Sequence, residues 1–493
     1  MREILKISEA LFSGWNRSNV NYCHWKSNEH LYEGLIGDTD LDVLVDVNDK
    51  AKAEKCLINL KYIKLVSQYG SRYQFVDDWV SCDADTGKLV HIHLHYKMIT
   101  GHKGLKEYDL PWTELALDTR IKDEEFPVYI VDPNLEIIIL LTRLGLKANY
   151  IKEFKALLGR YHISADTLAE IKYLKDKIDI KKTETIAQQY MGSNTQRFMY
   201  LLMDDKYDVT WFTRLRRLTK KQFKKYNRLP FLIEPLYRVF YYITIYARIY
   251  IKKKHWNNPI TRKTVNEGVI IAFIGQDGAG KSTVTDEVYK WLTWKIDATK
   301  YYLGSGEHYF SWQKTLRAKM KKNSVVYRIF GNLLTVSNLK EIAKRTNKSI
   351  CLAKMYAVKG GIAILDRYPQ LSFEGINDGP KIRCNSKNKK LSKIARMYIS
   401  RSAAIEEKYL QKAVEIQPDL VFKMILPPEE SIRRKPEESL ENVQRKHEII
   451  KQLEFNNARV ITIDATQDLR EELRCIHNEI WSILLEREYG KTD

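Results

Sequence analysis

The sequence predicts an α/β protein with three parts. These are a doubly wound parallel-sheet P-loop domain in the carboxyl-terminal half, an α+β domain at the amino terminus, and a helical connector between them. Three observations carry that prediction. Gly275 to Thr283 (GQDGAGKST) fills the phosphate-cradling pattern GxxxxGK[ST] without mismatch. From Glu267 onward apolar strands alternate with helical stretches, as in a parallel sheet covered on both faces. Around Asp40 apolar and acidic residues alternate strictly, as on a strand with one buried face. The expected divisions are 1–125, 126–264 and 265–493.

Length and composition agree. A chain of 493 residues with 44% hydrophobic residues can build two or three packed cores. Its six cysteines are scattered with no CxxC pair, which disfavours a structural zinc site or a disulfide framework and points to a reducing cytoplasm. The first residues, MREILKISEALFSGWNRSN, lack the apolar core and cleavage site of a signal peptide. No charge-free apolar run reaches the roughly 18 residues a spanning helix needs.

In the amino-terminal part, Leu41, Val43 and Val45 fall on one strand face and Asp40, Asp42 and Asp46 on the other. Two carboxylates at i and i+2 repel unless a divalent cation sits between them, and such a pair can present metal to a nucleoside triphosphate. The later run Val90-His91-Ile92-His93-Leu94-His95-Tyr96 puts three imidazoles on one face, so a mixed site of Asp40, Asp42 and His93 is expected. Three uses remain open: catalysis, ligand binding without catalysis, and a structural remnant. The stretch from His24-Trp25-Lys26-Ser27 to Val45 resembles the GDxDxDllV region of an uncharacterised nucleotidyltransferase-like family, and the histidine strand its vDLHW strand. His93 then stands where that family supplies a third carboxylate.

The connector begins with a helix over Pro133 to Lys147, entered through Asp132 as N-cap with Pro133 at the first helical position. Net charge is +20 for the chain, and fifteen Lys and Arg against Glu234 alone lie between Trp211 and Lys263. Within that stretch Phe231 to Ile251 is apolar and tyrosine-rich. Glu234, Arg238 and Arg248 make a narrow polar stripe, with Lys252-Lys253-Lys254 beyond. Tyrosines beside lysines suit the surface of an anionic membrane, so 211–263 is expected to lie peripherally on the inner membrane surface. The competing expectation is a helix packed between two domains with a solvated basic flank. A nucleic-acid partner is disfavoured, because no motif reads bases.

In the carboxyl-terminal part, Val269 to Ile274 is the buried strand that the glycine loop requires, and helical spacing follows from Lys281 to Ile296. The loop glycines Gly275, Gly278 and Gly280 let backbone N–H groups face phosphates. Lys281 reaches the β- and γ-phosphates, and the Ser282 hydroxyl meets Mg²⁺. Gly361 to Asp366 is a second buried strand ending in Asp366-Arg367-Tyr368. A carboxylate there can hold magnesium or take a proton from an acceptor, and the guanidinium can grip a phosphate bidentately. Further strands are expected at Asp419–Leu426 and Arg459–Asp464, and a helix from Asp468. A mobile lid is expected over Glu429–Phe455, which carries Arg433, Arg434, Arg445 and Lys446.

Over 267–490 the chain resembles the thymidylate kinase family. The loop resembles that family's GxDGxGKST, including Asp277; Asp366-Arg367-Tyr368 its DRY motif; Gln417-Pro418-Asp419-Leu420-Val421 its PDL strand; and Ile463-Asp464-Ala465 its late iDA segment. The resemblance implies ATP and Mg²⁺ bound through Lys281, Ser282 and Thr283. It implies an acceptor phosphate on Arg367, with Asp277 and Tyr368 on the acceptor side. The family's REPGG-type segment is replaced by Gly304-Ser305-Gly306-Glu307-His308-Tyr309-Phe310, and the residues after Tyr368 read Pro369-Gln370-Leu371-Ser372-Phe373-Glu374-Gly375-Ile376-Asn377-Asp378-Gly379-Pro380. In the resembled family these are the parts that recognise the acceptor. The expected activity is transfer of the ATP γ-phosphoryl group to a nucleoside monophosphate of thymidylate type or a related small-molecule acceptor. A sugar or surface glycan as acceptor, or an ATPase switch acting on the amino-terminal domain or a membrane partner, are the alternatives. Oligomerisation is left open.

Overall fold

The computed structural model describes residues 2–67, 73–102, 104–147, 163–230, 233–255, 262–304, 325–373, 379–382, 392–436 and 438–490. The chain divides into two compact units, Met1–His255 and Trp256–Asp493.

The first unit holds strands β1 (Tyr22–His24), β2 (Leu41–Val45), β3 (Ile63–Ser67), β4 (Val76–Cys82), β5 (Leu89–His95), β6 (Ile99–Thr100), β7 (Tyr108–Asp109), β8 (Ile121–Lys122) and β9 (Tyr129–Ile130). Its sheet runs β3-β4-β5-β2-β1-β9-β8, while β6 and β7 form a separate hairpin. The alternation in β2 does what the sequence predicts on one face, where Leu41, Val43 and Val45 are fully buried with Val90, Ile92 and Leu94 of β5. The opposite face is not left to water. Leu44 packs there with Cys23, Trp25 and the buried side of helix Pro133–Lys147.

That helix starts as expected, with Asp132 Oδ1 accepting from the Asn134 backbone N–H at 2.8 Å. Leu135, Ile138, Phe198, Trp211, Leu215 and Phe223 from this and later helices join the same cluster as Trp25 and Leu44. The division expected at 125/126 therefore falls inside one continuous core, because helices with apolar faces were available to cover the second side of the sheet. An Ile138→Ala substitution, at a fully buried site, is expected to cost about 2–5 kcal/mol. It should lower strand and helix protection together in hydrogen exchange. Helices that open while the strands keep full protection would count against a shared core.

Helix Glu234–His255 attaches by its polar stripe. Arg238, buried, pairs with Glu107 at 2.9 Å and with Glu234, and Tyr242 Oη lies 2.7 Å from His102 Nε2. Leu236, Val239, Phe240, Ile243, Tyr246 and Tyr250 are exposed. The side chains of Arg248 and Lys252–Lys254 lie outside the described residues. No helix among the described residues is long and apolar enough to cross a membrane.

The second unit opens with β10 (Arg262–Thr264), whose Thr264 N–H donates to Gly360. It continues with β11 (Ile270–Gly275), β12 (Ala298–Tyr302), β13 (Ile362–Asp366), β14 (Leu420–Ile425) and β15 (Arg459–Asp464). The last five form a sheet in the order β12-β13-β11-β14-β15, with every neighbouring pair parallel. Central β11 is buried as a continuous apolar run should be. Helices Val325–Ala357 and Lys393–Val414 pack against each other, and helix Lys281–Thr293 packs against β12 and β13. The chain leaves β11 toward β12 and β13, then crosses to the other side of β11 for β14 and β15. That reversal opens a crevice at the carboxyl ends of β11, β13 and β14, where such sheets take ligands.

Candidate active site

The crevice collects the sequence-predicted residues from three separate parts of the second unit. Gly275 ends β11 so close to β14 that an added Cβ would lie 2.6 Å from the Met424 carbonyl oxygen. Gly280, at φ +78°, turns the loop into helix Lys281–Thr293, and open space surrounds the position its Cβ would take. Only glycine enters this turn without strain. Thr283 lies in the first helical turn and is exposed. Lys281 is buried, and its Nζ donates to the Gly275 and Gln276 carbonyls at 2.8 and 2.7 Å. The ammonium is thus held inside the loop, where a phosphate would lie.

Ser282 and Asp366 meet across β11 and β13, with Ser282 Oγ donating to Asp366 Oδ2 at 3.1 Å. Asp366 is buried, and its other oxygen has no partner among the described residues. A buried carboxylate oxygen facing a hydroxyl is the donor set a hard divalent cation takes, so these two residues fit Mg²⁺.

Arg367 follows at φ +80°, a left-handed conformation that costs a non-glycine residue free energy. Its N–H is tied to the Phe273 carbonyl, and its Nη2 lies 3.3 Å from Asp277 Oδ1. Asp277 Oδ2 accepts from Lys446 Nζ at 2.8 Å, and Lys446 also pairs with Glu438. Burial works against the Asp277 charge, but the hydrogen bond from Lys446 and its neighbours outweigh it and hold the carboxyl below the usual range. Asp277 therefore anchors two cations at the outer edge of the loop.

Tyr368 is turned the other way. It is buried, and its hydroxyl donates to the Ile416 carbonyl at 2.9 Å. It also lines a small cleft with Leu303, Ile342, Lys381, Glu406 and Leu410. Residues 305–310 and 374–378, which replace the acceptor-recognising parts of the resembled family, lie outside the described residues.

The stretch expected to be a lid contains helices Pro428–Arg434 and Leu440–Gln452. Arg434 reaches the loop, donating to the Gly278 carbonyl at 3.3 Å and the Ala465 carbonyl at 3.2 Å. Arg433 is exposed and paired with Glu430, and Arg445 is exposed. Lys446 is the lid residue placed on Asp277.

The first unit holds a second cluster. Asp42 and His93 are register partners on parallel β2 and β5, and Asp78 on β4 faces the same histidine. His93 Nδ1 lies 3.2 Å from Asp42 Oδ1 and its Nε2 lies 3.0 Å from Asp78 Oδ1. His91 Nδ1 lies 2.8 Å from Asp40 Oδ1, and His95 Nε2 lies 3.2 Å from Asp42 Oδ1. Two sets, Asp40-His91-His93 and Asp42-His93-His95, keep their ligand atoms within 4.8 Å, so the donors fit a divalent cation. Asp78 brings a third carboxylate to the cluster from β4, opposite His93. Its signal was available only in the pairing of β4 with β5. Asp46 is not part of the cluster; it caps the following turn by accepting from the Asn48 N–H.

The simple repulsion expected between Asp40 and Asp42 is offset. Asp42 is held well below the usual carboxylate range: burial opposes its charge, but Lys26, at 2.5 Å, together with His93 and His95 outweighs it.

No protein-family profile matches the chain. Two Escherichia coli (strain K12) proteins are similar to it. "Uncharacterized ATP-binding protein YghR" is 25% identical over 217 residues, 41% of this chain and 83% of that protein. "Uncharacterized ATP-binding protein YghS" is 26% identical over 232 residues, 42% of this chain and 92% of that protein. Among solved structures, deoxyadenosine kinase from M. mycoides with products dCMP and a flexible dCDP bound covers 43% of this chain and 98% of its own, with 16% identity and a TM-score of 0.28. The same enzyme with bound dCTP gives the same coverage, 18% identity and a TM-score of 0.25.

Proposed function

We propose that the second unit is an ATP-dependent kinase that transfers the γ-phosphoryl group to a nucleoside monophosphate, of thymidylate type or related to it. The reading rests on one observation: two separate cationic sets flank the glycine loop. Lys281 lies inside it, and Arg367 with Lys446 lies outside, on Asp277. A hydrolytic switch needs only the inner set, whereas a kinase needs a second grip for its acceptor. The ATP-binding description carried by the two Escherichia coli relatives supports the nucleotide donor.

In this reading Lys281 and the loop N–H groups hold the β- and γ-phosphates, and Ser282 and Asp366 hold Mg²⁺. When bound, that ion neutralises charge on the phosphates. Arg367 orients the acceptor phosphate, and the cleft beside Tyr368 takes the rest of the acceptor. An acceptor oxygen forms the new bond to the γ-phosphorus while the bond to the β–γ bridging oxygen breaks and ADP leaves. Product analysis by mass spectrometry tests this on purified protein with ATP and Mg²⁺, over nucleoside monophosphates, sugars and glycan fragments. Phosphorylated nucleotide is the expected product. A phosphorylated sugar would move the acceptor class, and ATP hydrolysis at full rate without acceptor would overturn the kinase.

In the first unit, Asp40, Asp42 and His93 are proposed to bind a divalent cation. At 100 times its Kd, Mn²⁺ should stabilise the full chain by about 2.7 kcal/mol. The pair Asp40→Asn/Asp42→Asn should abolish that gain. Without metal it should melt lower than the parent, because Lys26 loses its counter-charge. Melting that ignores Mn²⁺ and Mg²⁺ would leave this unit without a metal role.

The outward stripe on helix Glu234–His255 favours one further partner, an anionic membrane surface. Its aromatic and aliphatic residues face away from the unit and lead into Lys252-Lys253-Lys254. Phe240→Glu/Ile243→Glu should release the protein from phosphatidylserine vesicles in co-sedimentation. Equal pelleting with purely zwitterionic vesicles would count against the charge contribution.

A further inference from the structure

Four of the six residues from Gly275 to Gly280 are glycine or alanine, so the loop has few side chains of its own to set its shape. Gly278 and Gly280 stand at φ +86° and +78°, where glycine has wide conformational freedom. Such a loop needs support from outside if its N–H groups are to be in place before ATP arrives. The support comes from the stretch expected to be a lid. Ser431 Oγ donates to the Asp277 carbonyl at 2.7 Å, Arg434 donates to the Gly278 carbonyl, and Lys446 holds the Asp277 carboxylate. Gln276, just before them, meets His447.

Gln276 and His447 are both buried, although an amide and an imidazole are costly to desolvate. Gln276 Nε2 donates to the Leu426 carbonyl just beyond β14 and lies 3.3 Å from His447 Nδ1. A carbonyl only accepts, so the amide must turn its NH₂ toward Leu426. Its second hydrogen then points at His447 Nδ1, which accepts it, and the imidazole proton sits on Nε2. The amide oxygen is left buried with no partner among the described residues. An apolar side chain would fill this space without that cost. What the amide adds is a tie between the loop, the end of β14 and helix Leu440–Gln452. That helix is itself anchored: it packs against β11 and β14, its Val443 and Ile450 are buried, and Lys423 Nζ of β14 donates to the Lys451 carbonyl at 3.0 Å. His447 therefore acts on Gln276 from a fixed surface rather than from a swinging arm.

We propose that His447 is a positioning residue for ATP. Through Gln276, which is 171 residues away in the chain, it fixes the glycine loop in the shape that presents its N–H groups to the donor phosphates. The inference rests on the reading of this loop as the ATP site, and is independent of which acceptor the kinase uses.

The test is ATP binding by the full chain, measured by calorimetry with Mg²⁺, with melting temperatures taken on the same preparations. His447→Leu and Gln276→Met should each weaken ATP by about tenfold, the worth of one lost hydrogen bond. The double variant should be no weaker than either single one, since both break the same contact. His447→Gln, whose side-chain oxygen can accept from Gln276, should recover most of the loss. Gln276→Met breaks the contact from the loop side, so its affinity decides the matter if His447→Leu does not fold. Lys281→Ala, titrated in parallel, reports on the loop itself; parental affinity there would overturn the ATP site and this inference with it. Weakened ATP in Lys281→Ala beside parental affinity in His447→Leu or Gln276→Met would overturn the inference alone. So would single losses that add in the double variant, or a His447→Gln as weak as His447→Leu, because packing alone would then account for them.

Discussion

Lys281→Ala is expected to lower ATP-dependent turnover by on the order of 100-fold or more, about 3 kcal/mol of lost transition-state stabilisation. In the proposed reading the ammonium faces the β- and γ-phosphates, and its Nζ is fixed between two loop carbonyls rather than swinging in solvent. Fixed charge is what phosphoryl transfer asks of a protein, since nearly all the catalysis is positioning and electrostatics. Truncation leaves the Gly275 and Gln276 carbonyls facing the crevice, where water can satisfy them, so the fold should survive. Turnover and melting temperature, measured on the same preparation, separate the two effects. A folded variant with near-parental turnover would remove the ATP site from this loop.

The parts of the fold and site that were legible in the sequence are those fixed by local spacing. β11, the glycine loop and helix Lys281–Thr293 are adjacent in the chain, and their apolar run, glycines and 3.6-residue spacing sit within about twenty residues. Asp366 could be placed because a buried strand ends on it. What escaped was set by pairing between distant segments. Asp78 joins the histidines only because β4 lies antiparallel to β5 with Asp78 opposite His93. Lys446 and Arg367 converge on Asp277 from 169 and 90 residues away. Helix Pro133–Lys147 reads correctly as a helix, but whether its apolar face would cover a sheet or bridge two domains depends on the far side of β2. The polar stripe of Glu234 and Arg238 was visible, but not that Glu107, from a distant hairpin, would bury it together with Tyr241 and leave Tyr237, Tyr246 and Tyr250 outside.

Arg367→Ala is expected to raise the acceptor KM and lower kcat, leaving ATP affinity within a few-fold of the parent. Arg367→Lys should recover only part, because a lysine makes one contact where the guanidinium makes two. The geometry explains why donor and acceptor effects should separate. Arg367 touches Asp277 on the outer side of the loop, whereas Lys281 and Ser282 lie on the inner side. Without Arg367, Asp277 still has Lys446 at 2.8 Å, so the loop keeps its anchor. The left-handed backbone at this position gives an internal control. Arg367→Gly relieves the strain that Arg367→Ala retains, so the glycine variant should melt at or above the alanine variant, by about 1 kcal/mol in stability. Both should be equally poor with acceptor. If activity instead tracked stability across the three variants, Arg367 would be a backbone element rather than a phosphate grip. If all three lost ATP binding, it would belong to the donor side and the acceptor assignment would fall.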